Sequence, residues 1–469
     1  MNLLLSFILL ALLSGCAVFH SRPLLPAETA AAFENRALDD VHLREFLEKN
    51  IHKEILPWPP ESWDFTMLTL AALYYHPDMD VARAKWGVAE AEVVTAGGRP
   101  NPAMKLDGRR HSQTAGGLSP WTLGFALDVP VETAGKRGYR IARAGHLSEA
   151  ARMNIAGAAW QVRSRLRSSL LDLYSAYESE KISTGRLSVQ EGIVHLMEQR
   201  LSAGEISSPE AAQSRIALNR TRLSLRETQK KIAEGRVNLA KALGLPAVAL
   251  NKTGISFECF GRIPGNLYPA EARRQALLGR SDILSALSEY EAFQAALQLE
   301  IAKQYPDIRL GPGYLWDQGD NVWSLGISVV LPAFNRNEGP VAEAEARRRE
   351  RAARFTALQA GMIGEIDRSF AGYNAALREL ETADSLVSDQ LEKLREIEAQ
   401  FSTGQADRLA LLEAQLELFS AKISRLDVFV MAQKSLGMVE DAVQRPVTSP
   451  GQFPVNVRTD LKKAANESE

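Results

Sequence analysis

Apolar positions step through this chain with two different periods, and the two alternate in a fixed order that occurs twice. Met362, Ile366, Phe370, Tyr373, Leu377, Leu380, Ala383, Val387, Leu391, Leu394, Ile397 and Phe401 recur mostly every three or four residues, which places them on one stripe of an α-helix. After Gly404 the steps resume at Leu409, Leu412, Leu416, Phe419, Ile423, Leu426 and Val430. Earlier in the chain Leu218, Leu225, Ile232 and Leu239 keep a strict spacing of seven, a coiled-coil seam. No proline occurs between Lys136 and Ala203, and at about 1.5 Å per residue a helix over that span is on the order of 100 Å long. Helices of that length cannot bury their seams in a compact globule, so the pattern predicts long helical hairpins packed against one another.

Between these helices the period changes to two. Trp121, Leu123, Phe125, Leu127 and Val129 alternate with Thr122, Gly124, Ala126 and Asp128, and Trp323, Leu325, Ile327, Val329 and Leu331 alternate with Ser324, Gly326, Ser328 and Val330. Their hairpin partners are looser: Met104 and Leu106 against Lys105, Asp107 and Arg109, then Ile308, Leu310, Tyr314 and Trp316 against Arg309, Gly311 and Gly313. Each segment predicts a strand with one apolar face and one small or polar face. Strands of about ten residues suit a tilted membrane crossing, and Trp121, Trp316 and Trp323 fall near strand ends, where an interfacial aromatic girdle lies. Four strands cannot close a barrel, and open edges are not tolerated in lipid. A membrane role therefore needs several chains, eight strands from a dimer or twelve from a trimer.

The two passes are one unit repeated. The offset is 204 at Pro102/Pro306, 202 at Pro130/Pro332 and 200 at Gly204/Gly404, a duplicated half-molecule rather than a solenoid repeat. A first repeat occupies 61–246, with strands near 103–112 and 121–130 and a helical hairpin whose tip lies near 204. A second occupies 269–442, with strands near 308–316 and 322–331 and a tip near 404. Pro77 splits the helical stretch 63–96 in two, and 270–303 repeats that layout. An inter-repeat linker fills 247–268, and 443–469 is expected to be a flexible C-terminal tail. The fold class is mainly α with a small β part.

The N-terminus changes the picture. Leu3 to Leu13 forms a short apolar run, and Leu13-Ser14-Gly15-Cys16 has the form of a bacterial lipobox. Residues 1–15 thus read as a signal peptide, with Cys16 as the lipidated residue. A lipid-anchored arm over 16–60 would combine extended chain with one short helix near 38–55. Lipid chains tether without spanning. Setting Cys16 aside leaves only Cys259, so no intrachain disulfide and no cysteine metal cluster is expected; Cys259 is expected to be a buried or half-buried small apolar residue.

Chemistry is sparse. The seven histidines at 20, 42, 52, 76, 111, 146 and 195 show no pair at metal-ligand spacing. No phosphate loop or nucleophile elbow is present, so no enzyme, cofactor or bound metal is expected. A formal net charge of −2 gives no bulk electrostatic case for nucleic acid. The run Arg347, Arg348, Arg349, Arg351 and Arg354, interleaved with Glu343, Glu345 and Glu350, reads as a solvated helix face.

Taken together, the lipobox, the repeat, the two strand pairs and the reversals resemble the TolC-type outer membrane efflux family. Val129-Pro130-Val131-Glu132-Thr133-Ala134-Gly135-Lys136-Arg137 is similar to that family's strand-to-helix junction, in the form of its heavy-metal branch, and Arg99-Pro100-Asn101-Pro102 fits the same branch. Leu331-Pro332-Ala333-Phe334-Asn335-Arg336-Asn337 is the second junction. The resemblance implies a homotrimer in the bacterial outer membrane, with a twelve-stranded barrel and a periplasmic helical tube. It implies a passive exit duct, served by a periplasmic adaptor and an inner-membrane pump of the RND type. Arg200, Leu201, Ser202 and Gly204, with Phe401, Ser402 and Gly404, would form the tips that dock the adaptor. Glu413 takes one of two acidic entrance positions of the family, while Ala410 stands at the other and Asp407 lies out of register. A reading from a different class is a periplasmic coiled-coil lipoprotein with a structural or adaptor role and no pore.

Overall fold

Proline and glycine cut the chain where its periodicities predict. The computed structural model describes residues 19–114, 116–251, 253–265 and 267–447. In chain order the elements are α1 (Pro26–Glu34), α2 (Val41–Ile51), β1 (Ser62–Trp63), α3 (Phe65–Tyr75), α4 (Pro77–Ala96), β2 (Ala103–Arg110), β3 (Trp121–Val131), α5 (Lys136–Ser202), α6 (Ser208–Leu243), β4 (Gly254–Ile255), α7 (Pro269–Gly279), α8 (Ser281–Ala302), β5 (Ile308–Asp317), β6 (Asp320–Val329), α9 (Glu338–Ser402) and α10 (Arg408–Val443). Short 3-10 turns at Ala247–Leu250 and Glu258–Phe260 lie between the repeats. Among the described residues no helix is long and apolar enough to cross a membrane.

The four long strands form one antiparallel sheet in the order β2-β3-β5-β6. The register puts Met104 opposite Leu127, Leu106 opposite Phe125, Leu123 opposite Trp316, Tyr314 opposite Trp323 and Leu310 opposite Ile327. Because alternate residues share a face, these form one apolar surface. It is exposed: Leu106 and Leu325 are each 73% accessible and Trp323 is 77%. Lys105, Ala126, Gly313 and Ser324 run across the other face. The β5–β6 turn is two residues, Gln318 and Gly319, both with positive φ, as a tight hairpin turn requires. The outer edges of β2 and β6 have no strand beside them among the described residues.

Below the sheet the helices form a layer. Toward the far end its order is α6–α5–α10–α9, with α5 packed against α10 between the two hairpins. Nearer the sheet, α4 and α8 stand in place of α6 and α10 against α5 and α9. The substitution is end to end. Gly244, with φ of +76°, closes α6 directly against the backbone of Tyr75 and His76, where α4 begins. In the second repeat the Gln444 carboxamide oxygen accepts from the Ser281 N–H at 2.9 Å and its hydroxyl at 2.8 Å, where α8 begins. Proline at the start of α4 is tolerated because the first-turn N–H groups have no helical partner.

The core sits at this junction level. Leu68, Ala71, Ala72, Val162, Leu166, Leu170 and Leu239 are buried there with Trp63 and Phe260, and Ile366, Phe370, Tyr373, Leu436 and Val439 form a second cluster. The N-terminal arm differs from the expectation of extended chain with one helix. It forms two helices, and Leu38, Leu43 and Leu47 are buried in the first core. A helix with Leu43 and Leu47 four apart presents both on one face, and burying them docks α2 on the core, while α1 keeps no buried residue. The linker is packed as well: β1 pairs in parallel with β4, and Phe260 is 1% exposed. Cys259 contradicts its expected burial. The residue is exposed, but it also lines a cavity of about 920 Å³ bounded by α3, α5, α10 and the linker, whose walls desolvate its thiol. Phe260 takes the inward place beside it. The arginine run divides: Arg347, Arg348, Arg349 and Arg354 pair with glutamates one turn away, but Arg351 pairs with Glu289 of α8 at 3.0 Å and lies over Phe293. Cys16 and residues 448–469 of the expected tail lie outside the described residues.

Candidate gate, equator and membrane junction

The two helical reversals are built alike. Gly204 and Gly404 adopt φ of +77° and +76°, a left-handed conformation that glycine enters at no steric cost. The Glu205 N–H donates to the Arg200 carbonyl at 2.9 Å, and the Gln405 N–H to the Gln400 carbonyl at 2.8 Å, so each pair satisfies a carbonyl that the helix end orphans. The Ser202 and Ser402 hydroxyls donate back to the carbonyls of Gln199 and Ala399, both at 2.7 Å. The returning helices are capped differently. Ser207 and Glu210 make a reciprocal capping box on α6, whereas the Asp407 carboxylate accepts the Ala410 N–H at 2.8 Å to cap α10.

Asp407 also joins the tips. Its other oxygen accepts from Arg200 Nη2 at 2.8 Å, which links the end of α5 to the start of α10. The Ala410 N–H and then the Arg200 guanidinium hold the Asp407 carboxyl below the usual aspartate range. The predicted tip residues are thus brought together in part: Arg200 is paired, Ser202 and Ser402 bond locally, Gly204 and Gly404 make the turns, Leu201 is half-buried and Phe401 is 40% exposed. Glu413 is exposed and forms no ion pair among the described residues. By sequence Asp407 stands out of register with the acidic entrance positions. Its place, three residues before a free helical N–H and just past a glycine turn, was a legible cap signal; its partner across the hairpins was not.

At the level of the core, α5 and α10 are bolted by buried polar groups. The Glu440 side chain, 2% exposed, accepts from Arg163 at 3.1 Å and lies 3.6 Å from Arg167 Nε. Arg167 also donates to the Gln433 backbone at 2.9 Å and its side chain at 3.0 Å. Burial lowers the pKa of Arg167 and raises that of Asp441, although Ser164 and Trp160 donate to the Asp441 carboxylate at 2.7 and 2.9 Å. Lys434 pairs with Asp172 at 3.0 Å. Burial without such partners would cost several kcal/mol per ion.

The third site is the turn from strand to tube. Lys136, whose side chain is 8% exposed, donates to the Tyr305 carbonyl at 2.6 Å and to Asp307 at 2.7 Å. The same Asp307 oxygen accepts the Thr133 N–H at 3.0 Å. Burial alone would raise the Asp307 carboxyl, but Lys136 and Thr133 outweigh it and hold it below the ordinary value. Arg140 grips Glu132 and reaches the Gly98 carbonyl, while Arg137 donates to the Gly97 carbonyl at 2.6 Å. The charged residues of the Glu132–Arg137 motif therefore tie the first repeat's junction to α4 and to the start of β5. No group of three histidine, cysteine or acidic residues among the described residues is placed to hold a metal ion.

Comparison with known proteins agrees with this geometry. A family model described as "Outer membrane efflux protein" matches residues 69–245 and 272–430, one match per repeat. The chain is similar to the cobalt-zinc-cadmium resistance protein CzcC of Cupriavidus metallidurans, 24% identical over 354 residues that cover 73% of this chain and 79% of that protein. It is similar to the probable outer membrane lipoprotein SilC of Salmonella typhimurium, 22% identical over 264 residues, 54% of this chain and 57% of SilC. Among solved structures it superposes on the outer membrane protein VceC of Vibrio cholerae with a TM-score of 0.66 at 20% identity, over 81% of this chain and 95% of VceC.

Proposed function

We propose, from the premise that this chain belongs to the outer membrane efflux protein family, that three copies assemble into the exit duct of a tripartite efflux system. The observation that carries this reading is a double incompleteness. The sheet has an exposed apolar face and two free edges, and the helical layer below it ends in two free flanks, α6 and α9. Neither can be stable alone in its setting: lipid requires a closed barrel, and α6 carries Ile216, Leu223 and Val237 at 53%, 71% and 52% exposure along its outer side. Side-by-side copies close both layers at once. Twelve strands then surround a lumen lined by the small and polar face, and the apolar face meets lipid.

In this reading Cys16 carries the lipid that holds the N-terminal arm to the outer membrane, and the core level of the tube is the fixed collar. The Lys136–Asp307 junction transmits the tube's position to the barrel. The tips at Arg200–Gly204 and Phe401–Gly404 receive a periplasmic adaptor, and an inner-membrane pump of the RND type supplies the energy. Three Glu413 carboxylates face the entrance, where like charges repel unless hydrated or paired. The duct itself is passive, and the choice of substrate belongs to the pump. CzcC is named for cobalt, zinc and cadmium resistance, which makes a metal pump the first partner to try.

Purified protein reconstituted in planar bilayers tests the proposal. The expected result is a trimer by native mass spectrometry that conducts ions, weakly at rest and more strongly when the tip pair is removed by Asp407→Asn. A folded protein that neither trimerises nor conducts, with or without that substitution, would favour a poreless periplasmic lipoprotein instead.

A further inference from the structure

The seam between the two hairpins is uneven along its length. At the core level it carries Trp160 and Ser164 on Asp441, Arg163 and Arg167 on Glu440, and Lys434 on Asp172. Below the contact of Tyr174 with Phe429, ring centroids 6.1 Å apart, two glycines of α5 face two large apolar side chains of α10. Gly185 meets Phe419, and Gly192 meets Leu412. Both pairs are seven residues apart and run antiparallel, so they repeat one contact two helical turns on. The Arg200–Asp407 pair closes the seam at the tip.

The two glycines are not equivalent. A Cβ at Gly192 would stand 3.5 Å from the Leu412 side chain, an ordinary contact. A Cβ at Gly185 would stand 2.6 Å from Phe419 Cζ and 2.7 Å from Cε1, about 1 Å inside the normal carbon–carbon separation. A glycine within a helix costs backbone entropy that alanine does not, so this one calls for a packing reason, and the Phe419 ring supplies it. Lys422 lies across the ring at 5.5 Å. Within the second hairpin α9 and α10 pack along their length, with the exposed pairs Lys393–Glu417 and Arg425–Asp384 adding little.

We propose that Gly185 is a positioning residue of the conducting pathway: its bare backbone is the socket that receives Phe419 and lets the second hairpin close on the first. The inference rests on the reading of the chain as a duct. With the core level fixed and the tip held by one ion pair per chain, a side chain at Gly185 acts as a wedge. It lies about 22 Å from Arg200 along α5, so a small displacement there separates the tips.

Bilayer recordings on the purified trimer decide the matter. Gly185→Ala is expected to raise resting conductance severalfold, Gly192→Ala to leave it at the wild-type level, and Gly185→Ala with Phe419→Ala to return it toward wild type. Phe419→Trp overfills the same socket from the other side and stands in if Gly185→Ala does not assemble; it is expected to open the channel likewise. Wild-type conductance in an assembled Gly185→Ala trimer, as when the ring turns aside, overturns the socket, and so does an equal rise in Gly192→Ala. If neither the wild type nor Asp407→Asn conducts, the duct reading has failed instead.

Discussion

Replacing Asp407 with asparagine is the sharpest test of how the tips are held. Asparagine keeps the cap on α10, because its side-chain oxygen still accepts the Ala410 N–H, but it removes the charge that pairs with Arg200. The pair is partly exposed, with side chains 29% and 53% accessible, so it stabilises the closed tip by about 0.5 kcal/mol. Three pairs opening together sum to about 1.5 kcal/mol, roughly a tenfold change in the ratio of open to closed channels. The assay is open probability in planar bilayers, with Arg200→Ala expected to match. Salt offers a second handle. Going from 0.1 M to 1 M shortens the screening length from about 10 Å to about 3 Å, so conductance normalised to bulk conductivity rises in the wild type and stays flat in Asp407→Asn. The pH sign follows from the lowered carboxyl. Its contribution is present above the ordinary value of 3.8 and is lost as pH falls through the lower closed-state value. Only the share owed to Arg200 matters, since the Ala410 bond survives opening. Because the surviving Ala410 bond keeps the open-state carboxyl below 3.8 as well, acid opens the tip only below that value and not between about pH 5 and 8. An open probability unchanged by Asp407→Asn in a conducting trimer would refute the reasoning.

Three further substitutions or reactions probe the other levels. Glu440→Gln leaves Arg163 and Arg167 without their shared buried carboxylate and is expected to cost about 3 kcal/mol or more, read as a lower apparent Tm in detergent; a loss under about 1 kcal/mol counts against the bolt. Asp307→Asn leaves the Lys136 ammonium, 8% exposed, without its carboxylate and is expected to cost about 3 kcal/mol, whereas Lys136→Met leaves an Asp307 that is 44% exposed and still accepts from the Thr133 N–H, and costs about 1 kcal/mol. Because the Asp307 carboxyl is held low, its stabilisation is present above about pH 4 and is lost as pH falls through the depressed value. The Cys259 thiol is pushed up to about 11, first by the protein bulk around it, so alkylation at pH 8 is expected to be about 100-fold slower than for a free thiol and to climb toward pH 11; fast labelling at pH 8 would contradict that.

Much of this architecture was legible because long helices and membrane strands advertise their periods. The alternating segments predict strands at 103–112 and 121–130, and the structure has strands at Ala103–Arg110 and Trp121–Val131, because a half-buried strand repeats its apolar face every second residue. Pro77, Gly204 and Gly404 marked real breaks for local steric reasons. What escaped were features that depend on distant chain. Leu43 and Leu47 do not show which core they fill, so the arm looked like a tether. Cys259 and Phe260 are adjacent, and only the fold decides which one turns inward. Arg200 and Asp407 lie on different repeats, and no spacing rule pairs residues across two hairpins. Arg351 sat among paired arginines and looked like them, although it reaches across to α8.

The same unevenness explains how one helical layer can be both rigid and movable. Local opening is drawn from regions with few buried contacts, and within one chain the α9 seam grades from Ile366 and Tyr373 at 0% exposed to Phe401 at 40%. The charges follow the gradient. At the core level Arg163, Arg167 and Glu440 are buried and mutually bonded, so that breaking them is costly, although Lys434–Asp172 beside them is half exposed; the Arg200–Asp407 pair that spans the hairpins at the tip is more open and weak. A duct that must stay sealed in the membrane while its far end yields to a partner needs that order. Reversing it, with a strong buried pair at the tip and a loose core level, would free the barrel junction before the entrance opened.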